Sequence, residues 1–164
     1  MKPFRTCTML LLAALAACAT VAPEPASPSY YVMRHLQKGE GSDPGLTEEG
    51  RLNAERLIPL LADDRPAAIY ASATRRAQET AAPLAQKLGL TPKIYDPRDT
   101  AGLVERVKAE AGTVLVVGHS NTVPEIVERL GGARPAPLAE TDYGDVWRVR
   151  RKDGATEKKS LGGG

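Results

Sequence analysis

The sequence predicts an α/β fold: a mostly parallel sheet with helices on both faces, a three-layer sandwich. Three observations predict it. Short β-type runs alternate with helical runs from Tyr30 onward, and that rhythm gives a parallel sheet flanked by helices. Residues 113–117 form a nearly all-apolar run, as suits a strand covered on both faces. Three of the predicted strands run into polar residues able to do chemistry, and parallel strands bring such residues to one sheet edge.

The first segment is a targeting signal rather than part of the fold. Residues 1–5 are short and basic, and residues 8–17 are apolar. The apolar run is too short to span a bilayer, which takes roughly 20 residues; with small residues before a cut site it reads as a secretory signal. Leu15-Ala16-Ala17-Cys18 resembles the bacterial lipobox, which implies cleavage before Cys18 and lipidation of Cys18. The following Ala19 is not the aspartate that retains lipoproteins in the inner membrane, so the expected location is the periplasm, anchored to the outer membrane. Both cysteines, Cys7 and Cys18, lie in this segment. The remaining chain can therefore form no internal disulfide, thiolate metal site or cysteine nucleophile. Residues 19–29 are rich in Pro and small residues and read as an extended tether. The expected organisation is a signal peptide over 1–17, a lipidated Cys18 and tether over 18–29, one domain over 30–157, and a flexible tail over 158–164.

Within the domain, residues 30–33 are a β-type run ending at Arg34-His35, and the Gly-rich residues 36–45 are a loop. Thr47 is a good helix N-cap with Glu48 and Glu49 in the first turn. Ala54, Leu57, Ile58 and Leu61 then recur at helical spacing. Residues 67–72 are a second strand. Residues 75–88 read as a helix stopped by Gly89, with Pro83 predicting a kink or a break. Residues 93–95 are a short strand, 100–111 a helix, 113–117 the apolar strand and 123–130 a helix. Residues 146–150 alternate apolar and polar like an edge strand with one wet face, and Asp153-Gly154 after them is a turn signal.

Composition narrows the function. Without Lys2 and Arg5, the 22 basic residues become 20 against 20 acidic ones. A neutral mature chain argues against a nucleic-acid partner. One Trp, five Tyr and one Phe are too few for base-stacking platforms. Two histidines without cysteine give too few ligands for a zinc site.

The two histidines, His35 and His119, each lie at the C-terminal end of a predicted strand. With Arg34 and Arg76 around one pocket they would suit a phosphoryl group. Arg offers forked donors to its oxygens, and imidazole can act as nucleophile, acid or base.

The segments Tyr31-Val32-Met33-Arg34-His35, Leu46-Thr47-Glu48-Glu49-Gly50, residues 72–81 from Ser72 through Arg76, and Val116-Val117-Gly118-His119-Ser120 resemble, in order and spacing, the histidine phosphatase superfamily. This is the phosphoglycerate-mutase-like group named for its Arg-His-Gly motif, and the likeness is greatest to its small bacterial phosphatase-type members. The resemblance implies a metal-independent phosphomonoesterase without cofactor. His35 would take the phosphoryl group, Arg34 and Arg76 would bind its oxygens, His119 would donate to phosphate and transition state, and Ser72 would be an accessory donor. Thr80 and Ala81 are expected to pack, and Arg75 to be a solvated helix-face charge.

Two departures set further expectations. Leu36 replaces the motif's Gly, which would place a larger side chain close to the nucleophile. The family places a general acid between the second Arg and the second His. Candidates there are Asp96, Asp99 and Glu105, with Asp43 an outsider; Asp96, held extended by Pro97 at a strand end, is the choice, with a raised pKa expected. The expected substrate is a phosphorylated small molecule or an envelope glycan or lipid. The alternative is a non-catalytic lipoprotein of the same fold that binds phosphorylated ligands or another protein. A mutase is disfavoured by the signal sequence.

Overall fold

Strand and helix alternate in the computed structural model, which describes residues 27–162. The chain runs β1 (Ser29–Arg34), α1 (Glu48–Glu55), α2 (Leu57–Leu60), β2 (Ala68–Ser72), α3 (Arg75–Leu88), β3 (Lys93–Tyr95), α4 (Thr100–Ala109), β4 (Val114–Gly118), α5 (Val123–Arg129), β5 (Asp145–Arg150) and β6 (Thr156–Ser160). These strands form one sheet in the order β3-β2-β4-β1-β5-β6. β3, β2, β4 and β1 are parallel; β5 runs antiparallel to β1, and β6 antiparallel to β5.

The sheet divides two apolar cores because side chains alternate along each strand. Tyr31 and Met33 of β1 with Leu115 and Val117 of β4 meet Ala54, Leu57, Ala77, Ala81 and Leu84 from α1, α2 and α3. Tyr30, Val32, Val114 and Val116 face the other way, onto Leu103 and Val107 of α4 and Ile126 and Val127 of α5. The central β1 and β4 are buried along their whole length, which explains the apolar runs 30–33 and 114–117 within them. The expected three-layer α/β architecture is the one observed.

Local chemistry sets the helix ends. Thr47 caps α1, its Oγ1 accepting from the Gly50 N–H at 3.1 Å. A Cβ at Gly50 would meet the Gln37 carbonyl oxygen at 2.3 Å, so this turn packs against the loop after β1 only without a side chain. The expected helix to Leu61 is broken between α1 and α2 at Arg56, because Pro59 has no N–H for the Glu55 carbonyl and its ring crowds that oxygen. Pro83 does not break α3, which is continuous from Arg75 to Leu88. There the buried stripe Ala77, Thr80, Ala81, Leu84 and Ala85 holds the helix to the sheet, and tertiary packing outweighs the lost bond.

The boundaries need correction at both ends. Ser29 belongs to β1 and is fully buried, its N–H donating to Thr113 Oγ1 at 3.2 Å, so the tether ends before it. Lys158, Lys159 and Ser160 are not a tail; they pair with β5, and Leu161 is buried in the first core. It follows that β6, not β5, is the edge, and β5 lies between β1 and β6. The Asp153-Gly154 turn joins these two strands, with Gly154 at φ +70° and 2.2 Å between its notional Cβ and the Gly131 carbonyl oxygen. The predicted signal peptide and lipidated Cys18 lie outside the described residues. Among the described residues no helix is long and apolar enough to cross a membrane.

Candidate active site

Because β1, β2 and β4 are parallel, their C-terminal ends share one edge. There Arg34 closes β1 and His35 follows it, Ser72 closes β2 and Arg76 sits in the first turn of α3, and His119 follows β4. Arg34, His35, Arg76 and His119 line a cavity of about 340 Å³, with Lys38, Thr74, Ser120 and Glu140 around them. All four sequence-predicted residues of the phosphate constellation therefore converge.

His35 is 3% exposed. Its Nδ1 lies 2.8 Å from the Leu36 carbonyl oxygen. A carbonyl only accepts, so Nδ1 carries the hydrogen and Nε2 keeps its lone pair. Burial, reinforced by the charges of Arg76, His119 and Arg34, lowers the His35 pKa to about 4 against the opposing pull of the Leu36 carbonyl. The His119 ring lies 5.4 Å away at an interplanar angle of 66°. Its Nε2 is 2.9 Å from Ser72 Oγ, which in turn is 3.0 Å from Thr74 Oγ1. Burial first, then Arg76 and Arg34, lower the His119 pKa to about 4 as well. At neutral pH both rings are uncharged.

These are the chain's only two histidines, so imidazole proton NMR reads the site alone. Both resonances are expected to titrate near pH 4 in place of the ordinary 6.5, and to move upward when inorganic phosphate or vanadate adds negative charge beside them. Titration of both near 6.5 would contradict this electrostatic picture. The sign for stability follows. The folded pKa values lie below the unfolded ones, so the contribution is fully present above about pH 6.5. It is lost as the pH falls from there through about 4, where the unfolded chain binds more protons.

Arg34 is 2% exposed and clamped by the loop before β5. Its Nη1 donates to the carbonyls of Ala139 (2.7 Å) and Asp142 (3.2 Å), and its Nη2 to Glu140 Oε2 at 3.0 Å. Its Cζ stands 4.3 Å from the Tyr143 ring centroid. Among the described residues Arg76 has only a long side-chain contact, Nη1 to Asp43 Oδ1 at 3.7 Å. Both Arg34 Nε and Arg76 Nε are buried with no partner among the described residues. An unsatisfied buried donor costs about 1–3 kcal/mol, more when charged. Two of them in arginines lining one cavity define a place for an anion with several acceptor oxygens.

Thr80 does more than pack. Its Oγ1 accepts from the Leu36 N–H at 3.0 Å and donates to the Arg76 carbonyl at 2.8 Å, tying the turn after His35 to the start of α3. Leu36 does not crowd the nucleophile as expected. It is fully buried in the first core, so the substitution for glycine supplies packing. Ala81 packs in the same core. Arg75 pairs with Glu79 at 2.6 Å on the exposed face of α3.

The expected acid needs correction in place and in titration. Asp96 is half exposed and paired with Arg98, Nη2 to Oδ2 at 2.8 Å. Its Oδ1 also accepts the Arg98 N–H at 3.0 Å. Pro97 does keep Asp96 extended, but the Asp-Pro-Arg turn then folds Arg98 back onto it. Hydrogen bonds from Arg98 lower its pKa to about 2, opposite to the expected rise. Asp96 lines a neighbouring groove and not the histidine cavity. Asp99 caps α4, accepting from the Gly102 N–H at 2.9 Å. Glu105 is exposed on α4, and Asp43 reaches only Arg76 and the Arg75 N–H. The carboxylate lining the cavity is Glu140. It lies beyond His119 in the sequence and reaches the site because β5, antiparallel to β1, places the loop before β5 at the end of β1. Tyr143, 6.1 Å from the His35 ring, comes from the same loop. Among the described residues, no three His, Cys, Asp or Glu side chains gather as a metal site.

Comparison with known proteins agrees with this geometry. The family model of the histidine phosphatase superfamily (branch 1) matches residues 32–105. A search of curated protein sequences finds no match. The native structure of mycobacterial glucosyl-3-phosphoglycerate phosphatase is similar at TM-score 0.62 and 14% identity, covering 82% of this chain and 98% of that one. Its complex with VO3 gives 0.64 and 16%, covering 82% and 98%. The protein histidine phosphatase SixA complexed with tungstate gives 0.61 and 18%, covering 81% and 97%. At such identities the likeness is one of fold. The family match over residues 32–105 and the fold together make the chain similar to the small, phosphoglycerate-mutase-like proteins of the histidine phosphatase superfamily.

Proposed function

We propose that the protein is a phosphomonoesterase that works through a phosphohistidine on His35 and is held in the bacterial envelope by a lipid on Cys18. The observation that carries the chemistry is the pairing of an uncharged His35, its Nε2 lone pair free, with two buried guanidinium N–H groups that lack acceptors. A phosphoryl group placed there meets the guanidinium groups of Arg34 and Arg76, which line the cavity. Nε2 attacks phosphorus, the N–P bond forms as the ester P–O bond breaks, and the alcohol leaves with a proton. Water then attacks phosphorus, the N–P bond breaks, and inorganic phosphate is released with His35 restored. The arginines supply the positive charge and, with His119, donors at the transition state, so the reaction needs no metal.

The neighbours whose structures hold tungstate or VO3 support an oxyanion as ligand of this fold. The substrate is a phosphorylated small molecule or an envelope glycan or lipid. Placement in the envelope rests on the basic and apolar N-terminal segment and the lipobox-like Leu15-Ala16-Ala17-Cys18. The chain enters the sheet at Ser29, at the opposite end of β1 from His35.

The test uses the full-length protein, solubilised from membranes, on a panel of phosphomonoesters. Turnover is expected to persist in EDTA, to be blocked by vanadate, and to leave the membrane fraction with the Cys18→Ala variant. Vanadate binding without turnover would favour the non-catalytic lipoprotein. Loss of turnover on chelation, restored by a divalent metal, would overturn the metal-free route.

A further inference from the structure

Glu140 is the carboxylate in the wall of the cavity, and the fold holds it there from several sides. The turn that carries it is closed by Asp142 N–H to the Ala139 carbonyl at 3.1 Å and by Ala139 N–H to Asp142 Oδ2 at 2.8 Å. Arg34 Nη1 grips the two carbonyls of that turn. The carboxylate spans two elements: Oε2 accepts from Arg34 Nη2 at 3.0 Å, at the end of β1, and Oε1 accepts from Ser120 Oγ at 3.1 Å, just after His119. Its side chain is 78% exposed, open to a leaving group and to water. The acidic residues between Arg76 and His119 considered for this role are committed elsewhere: Asp96 to Arg98, Asp99 to the cap of α4, Glu105 to solvent.

From this placement we infer that Glu140 carries the leaving-group proton. The inference rests on the phosphatase reading above and assigns the proton's path within it. In the first step the Glu140 carboxylic acid gives its proton to the ester oxygen as the P–O bond breaks and the bond from phosphorus to His35 Nε2 forms. In the second step the Glu140 carboxylate takes a proton from the water that attacks the phosphohistidine. The P–O bond to water forms, the N–P bond breaks, and Glu140 is again the acid.

Electrostatics supports the cycle. In the free protein the hydrogen bond from Ser120, then the charge of Arg34, and beyond it Lys38, hold the Glu140 carboxyl below the usual range. The other cations lining the cavity are Arg76 and Arg98, and both histidines are uncharged above about pH 4. A bound phosphoryl dianion draws on the same Arg34 and sets negative charge beside the carboxylate. Both changes raise its affinity for a proton, so substrate binding itself loads the acid.

The experiment compares Glu140→Gln with wild type on an alkyl phosphate and on p-nitrophenyl phosphate, and measures vanadate affinity for both proteins. The alkyl phosphate, whose leaving oxygen must be protonated, is expected to lose roughly 10²-fold or more in kcat/KM. The nitrophenolate leaves without a proton and is expected to lose far less. Vanadate binding should be kept or tightened, because a like charge has been removed from beside the anion. Equal losses on both substrates, with or without weakened vanadate binding, would mean that Glu140 only positions Arg34 and would overturn the inference. No loss on either would also overturn it. A wild-type protein that turns over neither ester would instead bring down the phosphatase reading itself.

Discussion

Replacing His35 by Ala is expected to lower phosphomonoester turnover by roughly 10⁴–10⁶-fold, the scale on which removal of an acting nucleophile is felt, with the fold left in place. The structure separates the two effects. Among the described residues the one hydrogen bond of the His35 ring is the local one to Leu36, and its approaches to His119 and Tyr143 are ring contacts without a hydrogen bond. The backbone around it is held independently, by the His35 N–H on the Gly118 carbonyl at 2.9 Å and by the Leu36 N–H on Thr80. Circular dichroism and thermal unfolding should therefore match wild type while steady-state turnover collapses. Added imidazole, entering the vacated space between Arg34, Arg76 and His119, is expected to recover part of the rate. Wild-type turnover in His35→Ala would contradict the assignment.

Arg34→Ala is expected to cost about 10²–10³-fold in kcat through loss of a preorganised transition-state donor. Unlike His35→Ala, it should also cost stability. Arg34 satisfies the carbonyls of Ala139 and Asp142, pairs with Glu140 and stacks on Tyr143, so its loss frees the loop before β5. Ala139 and Asp142 are exposed and the Ala139 carbonyl keeps the Asp142 N–H, so water and the turn offset part of the loss and the cost is about 1 kcal/mol. Arg34→Lys should not restore activity. A single ammonium cannot serve two carbonyls, a carboxylate and a phosphoryl oxygen from one planar fork. A denaturant midpoint and kcat on the same preparation check both parts; full activity in the Lys variant would count against the fork.

Most of the architecture was legible because buried parallel strands write themselves as apolar runs. β1 and β4 could be found this way, and so could the residues that follow them, Arg34-His35 and Gly118-His119. β6 could not: Thr156-Glu157-Lys158-Lys159-Ser160 is an edge strand with mostly exposed side chains, so no hydrophobic pattern marks it and from Lys158 onward it reads as a tail. Proline was an ambiguous sign. Pro59 accompanies a break one turn before it and Pro83 does not, and the difference lies in the buried stripe that holds α3 to the sheet. Leu36 looked like a disturbance beside the nucleophile because sequence position says nothing of side-chain direction.

At the site, Arg34, His35 and His119 on strand ends and Arg76 in the helix turn just after β2 were readable, since parallel strands deliver them to one edge whatever the loops do. The acid was not. Asp96 sits at a strand end, but the turn through Pro97 folds Arg98 onto it. Glu140 sits in a loop rich in proline, far along the chain from both histidines, and reaches the cavity only because β5 returns antiparallel beside β1. Its partners, Arg34 and Ser120, come from two different strand ends, a coincidence that only the folded chain displays.

The most direct test of the account is to trap the covalent intermediate. Full-length protein is mixed with a phosphomonoester bearing labelled phosphorus, quenched in alkali within milliseconds, and digested. The account predicts label that is stable in base and labile in acid, carried by the peptide containing His35 and absent from the peptide containing His119. The label should also be missing from the His35→Ala protein and from wild type pre-incubated with vanadate. Turnover without any protein-bound label, or acid-stable label on a hydroxyl such as that of Ser72, would contradict it.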